Sequence, residues 1–158
     1  MSLRAGSMVV QMSNFELSQS LVHLLHRASQ TADEIFSTAA GVSDLTPRQF
    51  AVLAIISEYD GLSQTKIVEM TGIDRSTMAD IVRRLKLKGL IGRQRSRLDA
   101  RSYSIKLSNI GRKSFESAMR DAKVAETRLE TYVPGQQTND LVRLLQSLLA
   151  ASARNKKA

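Results

Sequence analysis

Apolar residues recur every three or four positions near both ends of the chain, which is the spacing of amphipathic helices. The first stretch predicts a helix over 14–40, begun by Ser13 or Asn14 as a capping residue. Its apolar positions are Leu17, Leu21, Leu24, Leu25, Ala28, Ala32, Ile35 and Phe36. Helical spacing returns over 109–153, with a break at Pro134-Gly135. The apolar positions before the break are Phe115, Met119, Ala122, Ala125, Leu129 and Tyr132, and those after it are Leu141, Leu144, Leu145, Leu148 and Leu149. Stripes of this kind must be buried against another surface, so both regions are expected to pair two copies of the chain.

Three shorter helices, each with its own start and stop residues, are predicted in the middle of the chain. The first begins at Thr46-Pro47 and ends at Asp60-Gly61. The second begins at Ser63 and ends at Thr71-Gly72. The third begins at Asp74 and ends at Gly89, which is predicted to occupy the C-cap position. The third of these helices has one apolar face, made of Met78, Ile81, Val82 and Leu85. Its remaining faces are rich in Arg and Lys.

Residues 90 to 108 change to a pattern typical of a β-hairpin. Leu90-Ile91 and the alternating Tyr103, Ile105 and Leu107 predict two short strands. The polar segment expected to join them carries four arginines, Arg93, Arg95, Arg97 and Arg101.

Composition narrows the possible partners. The chain has 23 Lys and Arg against 15 Asp and Glu, a net charge of +8, which favours a polyanion such as nucleic acid. It has no cysteine, so disulfides, thiolate metal sites and cysteine nucleophiles are excluded. The lack of cysteine fits a cytoplasmic location. No apolar run reaches the roughly 20 residues that span a bilayer. The terminal stripes could instead bind a membrane surface, but anionic lipid would repel the acidic residues of their polar faces, so no membrane partner is expected. These residues are Glu16, Asp33, Glu34, Glu116, Asp121, Glu126 and Glu130.

The order helix, short helix, glycine turn, basic helix and basic hairpin is that of a winged helix-turn-helix over 45–108. The basic helix would enter the major groove with its N-terminal end, where Arg75, Ser76 and Thr77 are placed to contact bases. Further along, Arg83, Arg84 and Lys86 are placed to contact phosphates. Arg95, Arg97 and Arg101 of the hairpin suit the adjacent minor groove, with Asp99 steadying Arg101.

Four short motifs within this region form a specific combination: Leu45-Thr46-Pro47-Arg48-Gln49-Phe50, Lys88-Gly89-Leu90, Asp99-Ala100-Arg101, and Leu107-Ser108 before Gly111-Arg112. Together they resemble the MarR family of bacterial regulators. The resemblance implies a mainly α fold, with a winged helix-turn-helix and a dimerisation region formed by helices 14–40 and 109–153. It also implies a homodimer that binds a pseudo-palindromic operator in double-stranded DNA, and a repressor released by a small anionic or aromatic effector. The chain departs from the family at Ala79-Asp80, where the family often has a Thr-Arg pair. The carboxylate of Asp80 would either repel phosphate or accept a hydrogen bond from the amino group of a cytosine.

His23 and His26 lie one turn apart on the first predicted helix, beside Arg27. The resemblance makes these three residues candidates for binding an anionic effector, and packing at the dimer interface is the alternative. Two histidines without further ligands are too few for a metal site, so no metal or other cofactor is expected.

The remaining alternatives concern the class of protein. Neither a phosphate loop nor a nucleophile motif is present, so no catalytic residue and no enzymatic activity are expected. A constitutive structural nucleic-acid-binding protein without an effector is the main alternative, and an interaction module whose basic face is incidental is another. Residues 1–13 are expected to be a disordered start or a tag, and 14–158 a single domain.

Overall fold

The computed structural model describes residues 16–39, 44–59, 61–95 and 103–155. The chain forms two compact units, Met1–Thr31 and Ala32–Ala158. Within the described ranges a 3-10 turn, Leu17–Gln19, precedes the first α-helix. The helices are α1 (Leu21–Ala39), α2 (Pro47–Glu58), α3 (Gln64–Thr71), α4 (Arg75–Leu87), α5 (Asn109–Glu130) and α6 (Gln137–Asn155), and the strands are β1 (Ile91–Arg95) and β2 (Tyr103–Leu107). The expected mainly helical fold with a small β-wing is confirmed.

The boundaries of the central helices follow from their capping residues. The hydroxyl of Thr46 accepts from the Gln49 N–H at 3.3 Å, and the Gln49 side chain accepts from the Thr46 N–H at 3.2 Å, a reciprocal capping box. Ser63 caps α3 by accepting from the Lys66 N–H at 3.2 Å. Asp74 and Ser108 cap α4 and α5 in the same way. These contacts satisfy N–H groups that a helix start leaves without partners.

The turn after α4 is closed by a glycine in the left-handed region. Gly89 has φ +68°, and the next residue, Leu90, donates its N–H to the carbonyl of Leu85 at 2.9 Å. Glycine takes this conformation without the steric cost of a Cβ. The chain therefore leaves α4 sharply and enters the wing.

The wing is an antiparallel pair in which Ile91 faces Leu107 and Arg95 faces Tyr103. An isolated bridge adds Leu62 beside Ile105, with the Ile105 N–H 2.8 Å from the Leu62 carbonyl. Ile105 is almost completely buried. The base of the wing is thus attached to the turn before α3.

One hydrophobic core holds α2, α3, α4 and the base of the wing together. Its most deeply buried side chains are Val52, Leu53, Ile67, Met78, Leu85 and Ile105. A second cluster joins Ile35 and Phe36 of α1 to Ala125 of α5, with Phe50 packed against both clusters. Because α4 buries one face in the first core, its opposite face is held toward solvent.

Where α5 begins, the chain passes very close to the turn after α4. The Ser108 hydroxyl donates to the Gly89 carbonyl at 2.6 Å and accepts from the Gly111 N–H at 2.9 Å. A Cβ on Gly111 would lie only 1.8 Å from the Leu90 carbonyl oxygen, so only glycine fits. This contact joins the end of α4 to the start of α5.

Several details differ from the sequence-based predictions. The first helix begins at Leu21 rather than near Asn14, because the backbone at Glu16 and Ser20 is extended. The predicted caps Ser13 and Asn14 lie outside the described residues. Gly89 follows the C-cap residue, Lys88, instead of occupying that position.

Two differences concern the wing and α5. Arg93 and Arg95 belong to β1 instead of the segment between the strands, and Leu90 precedes the strand. Met119 and Tyr132 are 41% and 61% exposed, because the buried side of α5 runs through Phe115, Ala118 and Ala125 and because Tyr132 follows the helix end.

The last helix, α6, has no buried residue in the described chain. Its five stripe leucines keep between 37% and 69% of their surface exposed. Among the described helices, none is both long and apolar enough to cross a membrane.

Candidate nucleic-acid interface

The N-terminal end of α4 presents polar side chains to solvent while its apolar face is buried. Met78, Ile81, Val82 and Leu85 are all buried, as the sequence predicts. Arg75 and Ser76 are exposed and Thr77 is half-buried, so these three lie together at the start of the helix. The free N–H groups of a helix start also favour a phosphate nearby.

Asp74 organises this end of the helix. Its Oδ1 accepts from the Ser76 hydroxyl at 2.6 Å and from the Thr77 N–H at 2.9 Å. These hydrogen bonds, from Ser76 first and then Thr77, hold the pKa of the Asp74 carboxyl well below its usual range. The Ser76 hydroxyl is therefore committed to Asp74 in the free protein.

The middle of α4 carries an ion-pair cluster formed by Asp80, Arg83 and Arg84. Arg83 Nη2 lies 2.6 Å from Asp80 Oδ1, and Arg84 Nε lies 2.6 Å from Asp80 Oδ2. Hydrogen bonding from Arg83, with the charge of Arg84, lowers the pKa of Asp80. Asp80, expected from its charge to repel phosphate, thus partly neutralises the two arginines predicted to bind phosphate.

Other cations border this face. Lys86 is exposed near the end of α4. Lys88 is tied to Asp44, with its Nζ 2.9 Å from Oδ2 and 2.6 Å from the carbonyl oxygen. The pKa of Asp44 is lowered by this hydrogen bond and by the charge of Lys88.

The described part of the wing carries two of the predicted arginines. Arg95 is exposed at the end of β1, opposite Tyr103. Arg93, on the same strand, reaches Gln64 at the start of α3, with 3.4 Å between Nη2 and Oε1. Arg97, Asp99 and Arg101 lie outside the described residues.

A separate pocket of about 210 Å³ lies within the unit Ala32–Ala158. Most of its lining is apolar: Ala32, Ile35, Phe36, Pro47, Phe50, Ala122, Ala125 and Leu129. The Phe50 ring centroid is 5.6 Å from that of Phe36 and 5.7 Å from that of Phe115. Two carboxylates, Asp33 and Glu126, also line it.

The predicted effector residues lie in the other unit, Met1–Thr31. His26 and Arg27 are exposed and His23 is half-buried. The His26 Nε2 is 3.4 Å from the Gln30 amide nitrogen, and the His23 N–H is 3.4 Å from the Ser20 hydroxyl. Within the described residues no three His, Asp or Glu side chains are grouped so as to hold a metal ion.

Three features of the site were not predicted from the sequence. The double ion pair of Asp80 follows i, i+3 and i, i+4 spacing, which was available as a signal. The attachment of Ser108 to Gly89 and the pocket beside Phe36 and Phe50 join residues distant in sequence, for which no local pattern exists.

Comparison with known proteins places the chain in a family. Residues 43–102 match a family model described as MarR family. The HTH-type transcriptional repressor NicR of Pseudomonas putida is 28% identical over 110 residues, which cover 70% of this chain and 66% of NicR. The match therefore spans slightly less than two thirds of that relative's length.

Solved structures align over more of the chain. The transcriptional repressor CouR, bound to a 23-mer DNA duplex, is 31% identical with a TM-score of 0.67, covering 97% of this chain and 99% of CouR. Bordetella bronchiseptica BpsR, whose structure addresses regulation of DNA binding by 6-hydroxynicotinic acid, is 27% identical with a TM-score of 0.79, covering 85% and 96%. With a family model matching its winged-helix residues and a repressor structure aligned along nearly its whole length, the chain belongs to the MarR family.

Proposed function

We propose that this protein is a sequence-specific DNA-binding transcription regulator, a repressor that a small effector releases from its operator. The observation that carries the proposal is the exposed N-terminal end of α4, where Arg75, Ser76 and Thr77 surround a helix start capped by Asp74. An arginine can pair with guanine through two hydrogen bonds, and Ser or Thr can contact several bases. This end of α4 would therefore read sequence in the major groove.

The remaining cations would add affinity without choice of sequence. Arg83, Arg84 and Lys86 are exposed along α4, and Arg95 is exposed on the wing. We assign the first three to phosphates, and Arg95 with Arg97 and Arg101 to the minor groove, with Asp99 supporting Arg101. The net charge of +8 agrees with a polyanionic partner.

A second copy of the chain would cover the exposed stripe of α6. Leu141, Leu144, Leu145, Leu148 and Leu149 are all exposed in the described chain, and Leu144 keeps 69% of its surface accessible. A continuous apolar stripe of this kind marks an interface between proteins. A symmetric dimer would present two α4 helices to half-sites about 34 Å apart, as for other helix-turn-helix dimers.

Release from DNA requires an effector that binds the released state better by a few kcal/mol. In the solved BpsR structure the regulating molecule is 6-hydroxynicotinic acid, a single aromatic ring. We assign a comparable role here to a small aromatic molecule. We assign no catalytic activity to the protein. Such a protein would act in the cytoplasm, beside the chromosome. His23, His26 and Arg27 remain candidates for contacting an anionic effector.

Fluorescence anisotropy tests the proposal directly. Labelled DNA from the promoter of the protein's own gene is compared with a scrambled duplex of the same length across a salt series. We expect tight, sequence-selective binding to the promoter, with affinity falling steeply as the salt concentration rises. The reason is that the Lys and Arg side chains of the protein release counterions from the DNA phosphates when they bind, and added salt opposes this release. Binding that ignores sequence would support the constitutive nucleic-acid-binding alternative, and absence of binding at low salt would contradict the proposal.

A further inference from the structure

The pocket beside Phe36 and Phe50 is the strongest unassigned feature of the described chain. It opens within one compact unit, between the Ala32–Ala39 part of α1, the start of α2 and the C-terminal half of α5. Its volume is about 210 Å³. An apolar cavity of about 150 Å³ can hold benzene, so this pocket has room for one ring and a short substituent.

Among the described residues that line this pocket, the charged side chains are all negative. Asp33 and Glu126 are exposed members of the lining, and the described residues of the lining include neither Lys, Arg nor His. Neither carboxylate has a hydrogen-bond or ion-pair partner within the described part of the chain. Both are therefore available to a ligand.

The negative charge of this lining is opposite in sign to the net charge of the whole protein. The chain carries a net charge of +8, so its long-range field attracts anions. Two carboxylates that lack a partner among the described residues lie in a lining that contains aromatic rings, and they would reverse that preference locally. Aromatic faces add to it, because the π-face of phenylalanine attracts organic cations.

We propose that this pocket binds a small aromatic cation, with the ring among the apolar side chains and the cationic group beside Asp33 and Glu126. As an effector site the pocket rests on the proposed function above. It differs from the anionic effector expected from His23, His26 and Arg27, so the charge of the ligand distinguishes the two sites.

Three single-ring probes of nearly equal size separate charge from shape: benzylammonium, benzyl alcohol and benzoate. Calorimetry on the full-length protein without DNA measures the affinity of each. We expect benzylammonium to bind about tenfold more tightly than benzoate, since each exposed charge pair changes affinity by a few fold. Benzyl alcohol should fall between them.

The double variant Asp33→Asn/Glu126→Gln removes both charges and preserves shape. We expect the ratio of benzylammonium to benzoate affinity to fall toward one, while benzyl alcohol affinity stays within about twofold, which also shows that the pocket is intact. The matched control is Glu34→Gln/Glu130→Gln, two exposed carboxylates on the same helices that do not line the pocket. This control should keep the wild-type ratio.

The outcomes separate the pocket from the proposed function. Benzoate binding as tightly as benzylammonium, or a cation preference that persists in the double variant, overturns the pocket assignment. Failure of all three probes to bind, in protein that still binds promoter DNA, overturns the pocket and leaves the regulator. Selective benzylammonium binding in protein that binds no DNA supports the pocket and overturns the regulator. Weaker promoter binding with benzylammonium, but not with benzoate, supports both.

Discussion

The side chains of Asp80 and Arg84 form an ion pair one turn apart on α4, with 2.6 Å between the Oδ2 and Nε atoms. Arg83 contacts the other oxygen of the same carboxylate. All three side chains are partly exposed, so water and salt weaken the attraction. If Arg83 and Arg84 contact phosphates as proposed, phosphate must compete with Asp80 for both arginines.

Replacing Asp80 by Asn should make DNA binding tighter and less selective. The freed Arg83 and Arg84 would bind phosphates on any sequence. Affinity for scrambled DNA should therefore rise by about threefold, and affinity for the promoter should rise by less. The logarithmic salt slope should steepen by about one for each additional phosphate that the protein neutralises. Anisotropy titrations at several salt concentrations measure both quantities.

The control for this variant is Asp140→Asn, which removes an i, i+3 ion pair to Arg143 on α6. It should leave both affinity and salt slope unchanged. A steeper slope in the control alone, or an unchanged slope in Asp80→Asn, would contradict the competition.

Replacing a residue proposed to contact bases should change DNA binding differently from replacing a residue proposed to contact phosphates. Thr77→Ala or Arg75→Ala should relax base preference, with a loss of discrimination of about 1–3 kcal/mol at the affected position. Arg84→Ala should instead weaken binding to all sequences alike. Promoter duplexes with single base substitutions, titrated against each variant, test this. Altered base preference in Arg84→Ala, with none in Thr77→Ala, would show that the docking of α4 is wrong.

Asp74 should make stability depend on pH in the acid range. Its pKa is lowered in the folded protein by hydrogen bonds from Ser76 and Thr77, while the ordinary value is 3.8. Its contribution is therefore fully present above about pH 4 and is lost as pH falls from there toward the lower folded pKa. Asp74→Asn retains a capping oxygen but does not titrate. The stability difference between wild type and Asp74→Asn, from urea unfolding midpoints, should shrink over this range, and a difference constant with pH would contradict the assignment.

The capping residues show why the central helices could be predicted from sequence. Thr46, Ser63, Asp74 and Ser108 act on N–H groups three residues away, so the pattern that predicts them is local. The start of α1 was predicted less well, because apolar periodicity continues through Leu17 although the backbone turns at Ser20. Periodicity reports which side chains favour a common face, and it does not mark where a helix begins.

Dimerisation through α6 should be sensitive to charge on one face only. Leu148→Glu places a carboxylate in the exposed stripe, and burying it without a partner costs several kcal/mol, so the dimer dissociation constant should rise by roughly two orders of magnitude. Gln146→Glu adds the same charge on the opposite side of α6 and is the control. Analytical ultracentrifugation measures both. A dimer unaffected by Leu148→Glu would place the interface elsewhere.

Gly111→Ala should destabilise the protein although alanine is the better helix former. Helix propensity alone favours alanine by about 1 kcal/mol. The added Cβ would lie 1.8 Å from the Leu90 carbonyl oxygen, so the backbone must shift, and overpacking of this kind costs about 1–3 kcal/mol. Lys113→Ala, on the exposed side of α5, should be neutral or slightly stabilising. Thermal unfolding of the two variants compares them, and a stabilised Gly111→Ala would mean that the contact is loose.

The candidate site was predicted where it depends on residue type and missed where it depends on packing. The basic residues of α4 were assigned from its apolar face, which Met78 and Leu85 define. The depth of the pocket depends on how Phe36 and Phe50 meet across two helices, and Met119 was misplaced for the same reason. Distances between helices follow from side-chain interlocking across the core, which one chain's periodicity does not contain.

The contact between Ser108 and Gly89 couples the start of α5 to the turn that follows α4. One end of this helix is held to the turn after α4 by a 2.6 Å hydrogen bond and by the absence of space beside Gly111. Farther along, Ala122 and Ala125 of the same helix form one wall of the aromatic pocket. If a ligand in the pocket displaced this wall, we expect the contact at Ser108 to transmit the displacement to the end of α4 and so to change the orientation of the helix proposed to contact DNA.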